Sequence, residues 1–303
     1  MIQVENEIGM LESARDHSKT ADKLFKSPIP EELKKYLKKN INTLHPWLKE
    51  KWQKAGRKTE GTWEDIFGKD IFTDEIFMAW QYAAYVEKMI HKGREVYNLP
   101  MYVNAAMNSR NRKPGEYPSA GPLAHLIDIW KCAAPSIDLL APDLYDKGFV
   151  DWVAQYKLHN NPLFIPEIRL EPNDGVRAFY VFGQHDAIGF SPFSIEDAPD
   201  DGNCKLTKAY AKLEERMPLI TKYQGKEQMK GILFDQTNKE KNIEWDGIML
   251  SCKHFFTLPW DARATDGSVW PEGGGIIIKL DRYEYIVAGS GIVIAVSYTH
   301  LTL

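Results

Sequence analysis

The sequence predicts an α/β chain: the C-terminal part, strands four to eight, of a (β/α)8 TIM barrel, followed by a partial all-β domain. Three observations carry that prediction. Between residues 1 and 217, strand-length apolar runs alternate with helix-period runs in five consecutive units. Such alternation implies parallel strands joined by right-handed crossovers. None of the five units carries the glycine-rich phosphate turn of a dinucleotide fold, which favours a barrel. From about Tyr223 onward the helical period disappears, and short alternating segments are broken by Gly, Pro and Asp turns. The predicted division is a barrel portion over 1–218 and a β-rich accessory portion over 219–303.

The elements follow in chain order. Ile2, Gln3 and Val4 read as the end of a buried strand that stops on Glu5-Asn6-Glu7. Residues 10–74 mix short helical stretches (30–39 and 46–55) with Gly, Pro and Lys, and read as a long surface insertion. Ile76, Phe77, Trp80, Ala83 and Ala84 give an apolar stripe near the 3.6 period, predicting a helix over 76–91 that Gly93 stops. Strands are then expected at 100–107, 137–145, 162–169 and 187–193. Helices are expected near 123–133, 149–158, 176–184 and 205–217. In the accessory portion 229–235, 247–256 and 275–296 read as strands, with a hairpin turning at Asp281-Arg-Tyr-Glu.

Composition narrows the partners. With 44% hydrophobic and 26% charged residues the chain can build a sizeable core. A net charge of −4 and a pI near 6.1 give no reason to expect nucleic acid. The lysines between Lys34 and Lys58 are interleaved with acids and read as a solvated helix face. Cys132, Cys204 and Cys252 are too far apart for a zinc spacing or a disulfide framework. No apolar run reaches membrane-spanning length, so no membrane partner is expected.

The chemistry concentrates where strands end, because those ends open together on one face of a barrel. There the sequence places Glu7, Asn104, Asp143 with Tyr145, Glu167, and Ser191. Glu7 and Glu167 fall on barrel strands four and seven, across the mouth from each other. Retaining glycoside cleavage needs two carboxyl groups about 5–5.5 Å apart, one an acid/base and the other a nucleophile. Glu7, beside Asn6, suits the acid/base; Glu167, in an apolar run, suits a nucleophile kept ionised by Tyr145 or Arg169. Each glutamate alone reads as a surface or salt-bridged residue, and the two together on those strands reverse that. Asn104 and Tyr145 are open between substrate contact and scaffold hydrogen bonding. His185-Asp186 reads as a structural loop pair, and Trp80 and Trp130 as core.

Gln3-Val-Glu-Asn-Glu-Ile-Gly9 resembles the signature of glycoside hydrolase family 35, the β-galactosidases. Met10-Leu-Glu-Ser-Ala-Arg-Asp16, Phe164-Ile-Pro-Glu-Ile-Arg169 and Gly189-Phe-Ser-Pro-Phe193 are similar to the bacterial branch with an added β-rich domain. The resemblance covers residues 1–215 and the β portion less specifically. It implies Glu7 as acid/base, Glu167 as nucleophile, Glu5 and Asn6 as galactose contacts, and a β-galactoside substrate. No metal and no organic cofactor is implied by two-carboxylate chemistry. It also implies three further barrel strands ahead of the Asn-Glu strand. The expectation is therefore an N-terminally truncated fragment, inactive and weakly folded by itself. Its parent would be periplasmic or extracellular, any leader lying in the missing N-terminus. The tail Ser297–Leu303 reads as appended to a strand ending at Val296. Two alternatives stand beside this reading: another retaining barrel glycosidase, acting on β-glucosides or β-mannosides, and a non-catalytic carbohydrate-binding protein with Trp245, Trp260 and Trp270 as a stacking platform.

Overall fold

A computed structural model describes residues 1–107, 111–158, 160–199 and 204–298. The chain divides into two compact units, Met1–Glu167 and Ile168–Leu303. The predicted boundary at 218/219 falls inside a helix that runs Lys205–Tyr223.

The first unit holds β1 (Ile2–Glu5), β2 (Met101–Ala105), β3 (Leu139–Leu144) and most of β4 (Phe164–Ile168). With β5 (Gly189–Pro192) these make a five-stranded parallel sheet in the order β1-β2-β3-β4-β5. Sequential order with parallel pairing is what consecutive β/α units produce. The sheet is open, with β1 and β5 at its edges. β1 was expected to be a buried strand; as an edge strand with one neighbour it leaves Ile2 and Gln3 exposed and half-buries Val4 and Glu5.

The expected surface insertion is instead a packed helical layer. α1 (Lys19–Phe25), α2 (Glu31–Lys39), α3 (Pro46–Lys54) and α4 (Trp63–Phe67) lead into α5 (Ile71–Val96). Phe25, Leu33, Leu37, Leu48, Trp52, Trp63 and Phe67 join the core of α5 and α6 (Ile127–Ala133). Buried Asp128 of α6 accepts from the Tyr36 hydroxyl at 2.9 Å and the His45 backbone at 2.7 Å, fastening this layer to the α/β part. Lysines of the segment are paired at its surface, Lys34 with Glu60 and Lys51 with Asp70.

α5 is longer than predicted at both ends. Asp70 caps it, accepting from Phe72 and Thr73, so the helix starts five residues before Ile76. Gly93 lies within it, and a Cβ there would come within 2.8 Å of Met101 Cε. That glycine gives clearance to the next strand and is not a stop. Trp130 is fully buried, and Trp80 packs partly buried on the same core. α7 (Phe149–Tyr156) completes the unit close to its predicted span.

The second unit begins with α8 (Asp174–His185), then β5 and α9 (Lys205–Tyr223). α9 continues through Pro218 because Ile220 and Tyr223 extend its buried stripe. Asp186 forms the left-handed end of α8, and its carboxylate accepts from the Gly225 backbone at 3.0 Å, while buried His185 lies 3.4 Å from the Tyr180 hydroxyl. The β portion comprises β6 (Met229–Phe234), β7 (Glu240–Trp245), β8 (Ile248–His254), β9 (Gly273–Asp281), β10 (Glu284–Ser290) and β11 (Ile292–Tyr298). They form two antiparallel three-stranded sheets, β10-β9-β6 and β11-β8-β7. The hairpin turning at Asp281 is present.

β7 was not predicted. Its turn was nonetheless written in Asp246-Gly247, both residues at positive φ (50° and 82°), as a two-residue hairpin requires. Ser297 and Tyr298, expected to lie outside the strand, pair with Met249 and Ile248. The rest of that tail, 299–303, lies outside the described residues. Among the described residues no helix is long and apolar enough to cross a membrane.

Candidate active site

Glu7, Asp143 and Glu167 come together at the ends of β1, β3 and β4, within the first unit. One carboxylate oxygen from each lies within 4.8 Å of the others. Glu7 and Glu167 were expected to meet; Asp143 was noted at a strand end but given no role, and it is the fully buried member of the three.

Local structure explains the convergence. β1 carries a register shift between Gln3 and Glu5, and just beyond it Glu7 adopts φ +48°. A glutamate in that region costs roughly 1–2 kcal/mol, and such strain gathers at working sites. Asn104 compensates. It is fully buried, and its side-chain oxygen accepts from the Glu7 backbone at 3.1 Å and from Gln3 Nε2 at 2.8 Å. Its amide nitrogen donates to Asp143 Oδ2 at 2.6 Å and to Asn6 Oδ1 at 3.1 Å. Of the two readings open for Asn104, this geometry is the scaffold one. Gly121 lies against the Ile8 carbonyl so closely that a Cβ would overlap it, and the Met10–Ser119 bridge fixes the same turn.

Tyr145, 38% exposed, donates its hydroxyl to Glu167 Oε2 at 2.8 Å. Burial and the bond to Glu167 both push the phenol up, so it stays a donor at any working pH. Glu5 is half-buried opposite Val103, and Asn6 is exposed. Asp143 is pushed up to about 8, first by burial and then by the charge of Glu167, while the Asn104 hydrogen bond opposes this.

The three carboxylates are near enough for a divalent cation to bridge. The donors already present favour proton chemistry instead: Asn104 occupies one Asp143 oxygen and Tyr145 one Glu167 oxygen, which leaves a set poised to share a proton. Glu7 and Glu167 thus face each other with their nearest oxygens within 4.8 Å, close enough for a nucleophile to work beside an acid/base.

Other expected residues lie elsewhere. Ser191 belongs to the second unit and lines an apolar cavity of about 800 Å3 with Phe182, Phe190, Leu206 and Met217. Its walls are mainly apolar, with Ser191, Thr207, Tyr210 and Glu214 as the polar side chains. The three tryptophans do not form one platform: Trp270 is buried and stacked on His254, Trp245 packs against the β core and Tyr285, and Trp260 is exposed. Sequence reasoning also missed Glu75, fully buried, which accepts from Tyr117, Ala120 and His125 and pins the 117–125 loop to α5.

Residues 206–301 match the model of a domain of unknown function, DUF5597. No curated protein matches the chain.

Proposed function

We propose that this chain carries the catalytic carboxylates of a retaining glycoside hydrolase that removes terminal β-galactose from oligo- or polysaccharides. The observation that supports it most is the pairing of Glu7 and Glu167 at strand ends with their nearest oxygens within 4.8 Å. The resemblance of Gln3–Gly9 to the family 35 signature supports the galactoside assignment. On this reading the open sheet is strands four to eight of a (β/α)8 barrel, and its free edges at β1 and β5 are where further strands would join.

Glu167 attacks the anomeric carbon while Glu7 protonates the departing oxygen; Glu7 then takes a proton from the water that releases the sugar. Tyr145 orients Glu167. Exposed Asn6 is placed to bond a sugar hydroxyl, and Glu5 is a second contact on the resemblance. The chemistry requires no cofactor. Mechanism-based labelling tests the reading: a 2-deoxy-2-fluoro-β-galactoside in the barrel-complete protein should attach to Glu167, located by peptide mass. A label on another carboxylate, or faster turnover of aryl β-glucosides or β-mannosides than of galactosides, would sink it.

A further inference from the structure

Two-carboxylate chemistry leaves Asp143 without a task, yet its surroundings are specific. Its carboxyl is fully buried. Oδ2 accepts from Asn104 at 2.6 Å, whereas Oδ1 is buried with no donor among the described residues. The Glu7 side chain is in hydrogen-bond contact with the Asp143 carboxyl. An ionised carboxylate only accepts, so two carboxyl groups bond only through a proton that one of them carries. Leaving Oδ1 bare would incur the cost of an unpaired buried acceptor, and a proton shared with Glu7 removes it.

We propose that Asp143 is a positioning residue for Glu7: its buried Oδ1 and the Glu7 carboxyl share one proton, which fixes the Glu7 side chain and holds the three-carboxyl cluster at two negative charges. The titratable groups around Asp143 accord with this. Glu7 faces it from the turn after β1, Glu167 from β4, Tyr102 from β2, Tyr156 from α7, and Tyr145 lies on its own strand. These groups, drawn from the described residues, are all acids, so each either repels a charge on Asp143 or leaves it unrelieved. Burial with the charge of Glu167 places its titration near 8.

The mechanistic consequence rests on the glycosidase reading. When the bond from the anomeric carbon to the leaving oxygen breaks, its electron pair goes to that oxygen, which takes the shared proton from Glu7. A carboxylate oxygen of Glu167 forms the new bond to carbon and loses its charge. The cluster then holds ionised Glu7, ionised Asp143 and an esterified Glu167, so it carries two negative charges before and after the step. Water reverses the exchange: its oxygen bonds to carbon, the ester electrons return to Glu167, and its proton returns to the Glu7–Asp143 pair. Asp143 thus lets the acid/base exchange a proton with no change in the net charge of a buried site.

Carboxyl carbon NMR of the 303-residue chain tests the proposal without substrate. The wild type, Asp143→Asn and Asp143→Leu would be titrated, with Glu7 assigned by its loss in Glu7→Gln. One aspartate should titrate near pH 8 against an ordinary 3.8, vanish in both Asp143 variants, and impose an inflection at the same pH on the Glu7 signal. Asparagine, a permanent donor, should keep the wild-type Glu7 shift seen at neutral pH; leucine should displace it. Burial alone would raise Asp143 without touching Glu7. Asp143 titrating below pH 5, or a Glu7 signal blind to it, overturns the proposal even if galactosides are cleaved. The expected titrations, with no galactoside cleavage by the barrel-complete protein, support it and count against the proposed function.

Discussion

Two acidic clusters, one in each unit, differ in how their charge is balanced. In the second unit Arg177 donates to both oxygens of Glu272 at 2.8 and 2.9 Å and to Glu171 at 2.8 Å, with Asp174 3.6 Å away. Burial pushes Asp174 up only to about 6, because a Glu171 backbone hydrogen bond and Arg177 pull it back. In the first unit the charges acting on Asp143 are those of Glu167 and Glu7, and it reaches about 8. A guanidinium turns three acids into a structural clasp. Where burial and two neighbouring acids dominate the buried member instead, the three acids keep a proton, and a kept proton is what acid/base chemistry uses.

The contrast is tested most strongly by removing charge from each cluster. In the barrel-complete protein Glu167→Gln should lower galactoside turnover by ~10^3-fold or more, as loss of a nucleophile does, while leaving the fold intact. It should also bring the Asp143 titration down from about 8, since Glu167 is the second-largest cause of that position. If turnover survives, the nucleophile is wrong; if Asp143 does not move, the cluster is not electrostatically joined. Arg177→Met should do the opposite, costing about 2–3 kcal/mol of stability in urea unfolding by stranding buried Asp174 beside the partly exposed Glu171 and Glu272. An unfolding cost under about 1 kcal/mol would put that clasp among ordinary surface pairs.

A smaller effect separates the clusters by pH. Asp143 has a folded value near 8 and an ordinary value of 3.8. Below about pH 4 both folded and unfolded chains hold its proton, and stability is complete. Between there and pH 8 the unfolded chain releases that proton while the folded chain keeps it, so stability falls as pH rises, by at most about 1.4 kcal/mol per pH unit. Above 8 the loss is finished. For Asp174 the same loss ends near pH 6. Asp143→Asn should therefore flatten the slope between pH 6 and 8 and roughly halve it between pH 4 and 6, where Asp174 still contributes. Unfolding measured across that range would expose a wild-type slope that persists in the variant, and with it a misplaced proton.

The sequence exposed the pair of glutamates because both follow apolar strands and one follows Asn. Asp143 was visible in the same way, at the end of Leu139–Leu144, but nothing local marks a carboxyl as proton-bearing; that property comes from burial and from Glu167, 24 positions away in the chain. The helical layer was hidden for a related reason. Leu33 and Leu37, or Leu48 and Trp52, are single i,i+4 pairs in short lysine-rich helices, too brief to show a stripe. Their burial depends on Asp128, more than 80 residues downstream of His45. Gly93 misled because a glycine that stops a helix and one that clears a neighbour are the same letter.

The mildest change probes how firmly the carboxylate cluster is held. Tyr145→Phe keeps the ring and removes only the 2.8 Å bond to Glu167. Because the side chain is 38% exposed, water can replace part of the donor, and the loss should be about 1 kcal/mol, roughly fivefold in turnover. The deficit should lie in turnover and leave KM alone, since the phenol serves the nucleophile's aim and not the sugar. It should also nudge the Asp143 titration upward, because a Glu167 charge no longer shared with a phenol bears more fully on its neighbour. A larger deficit carried by KM would assign Tyr145 to the sugar instead, the reading its exposure also allows.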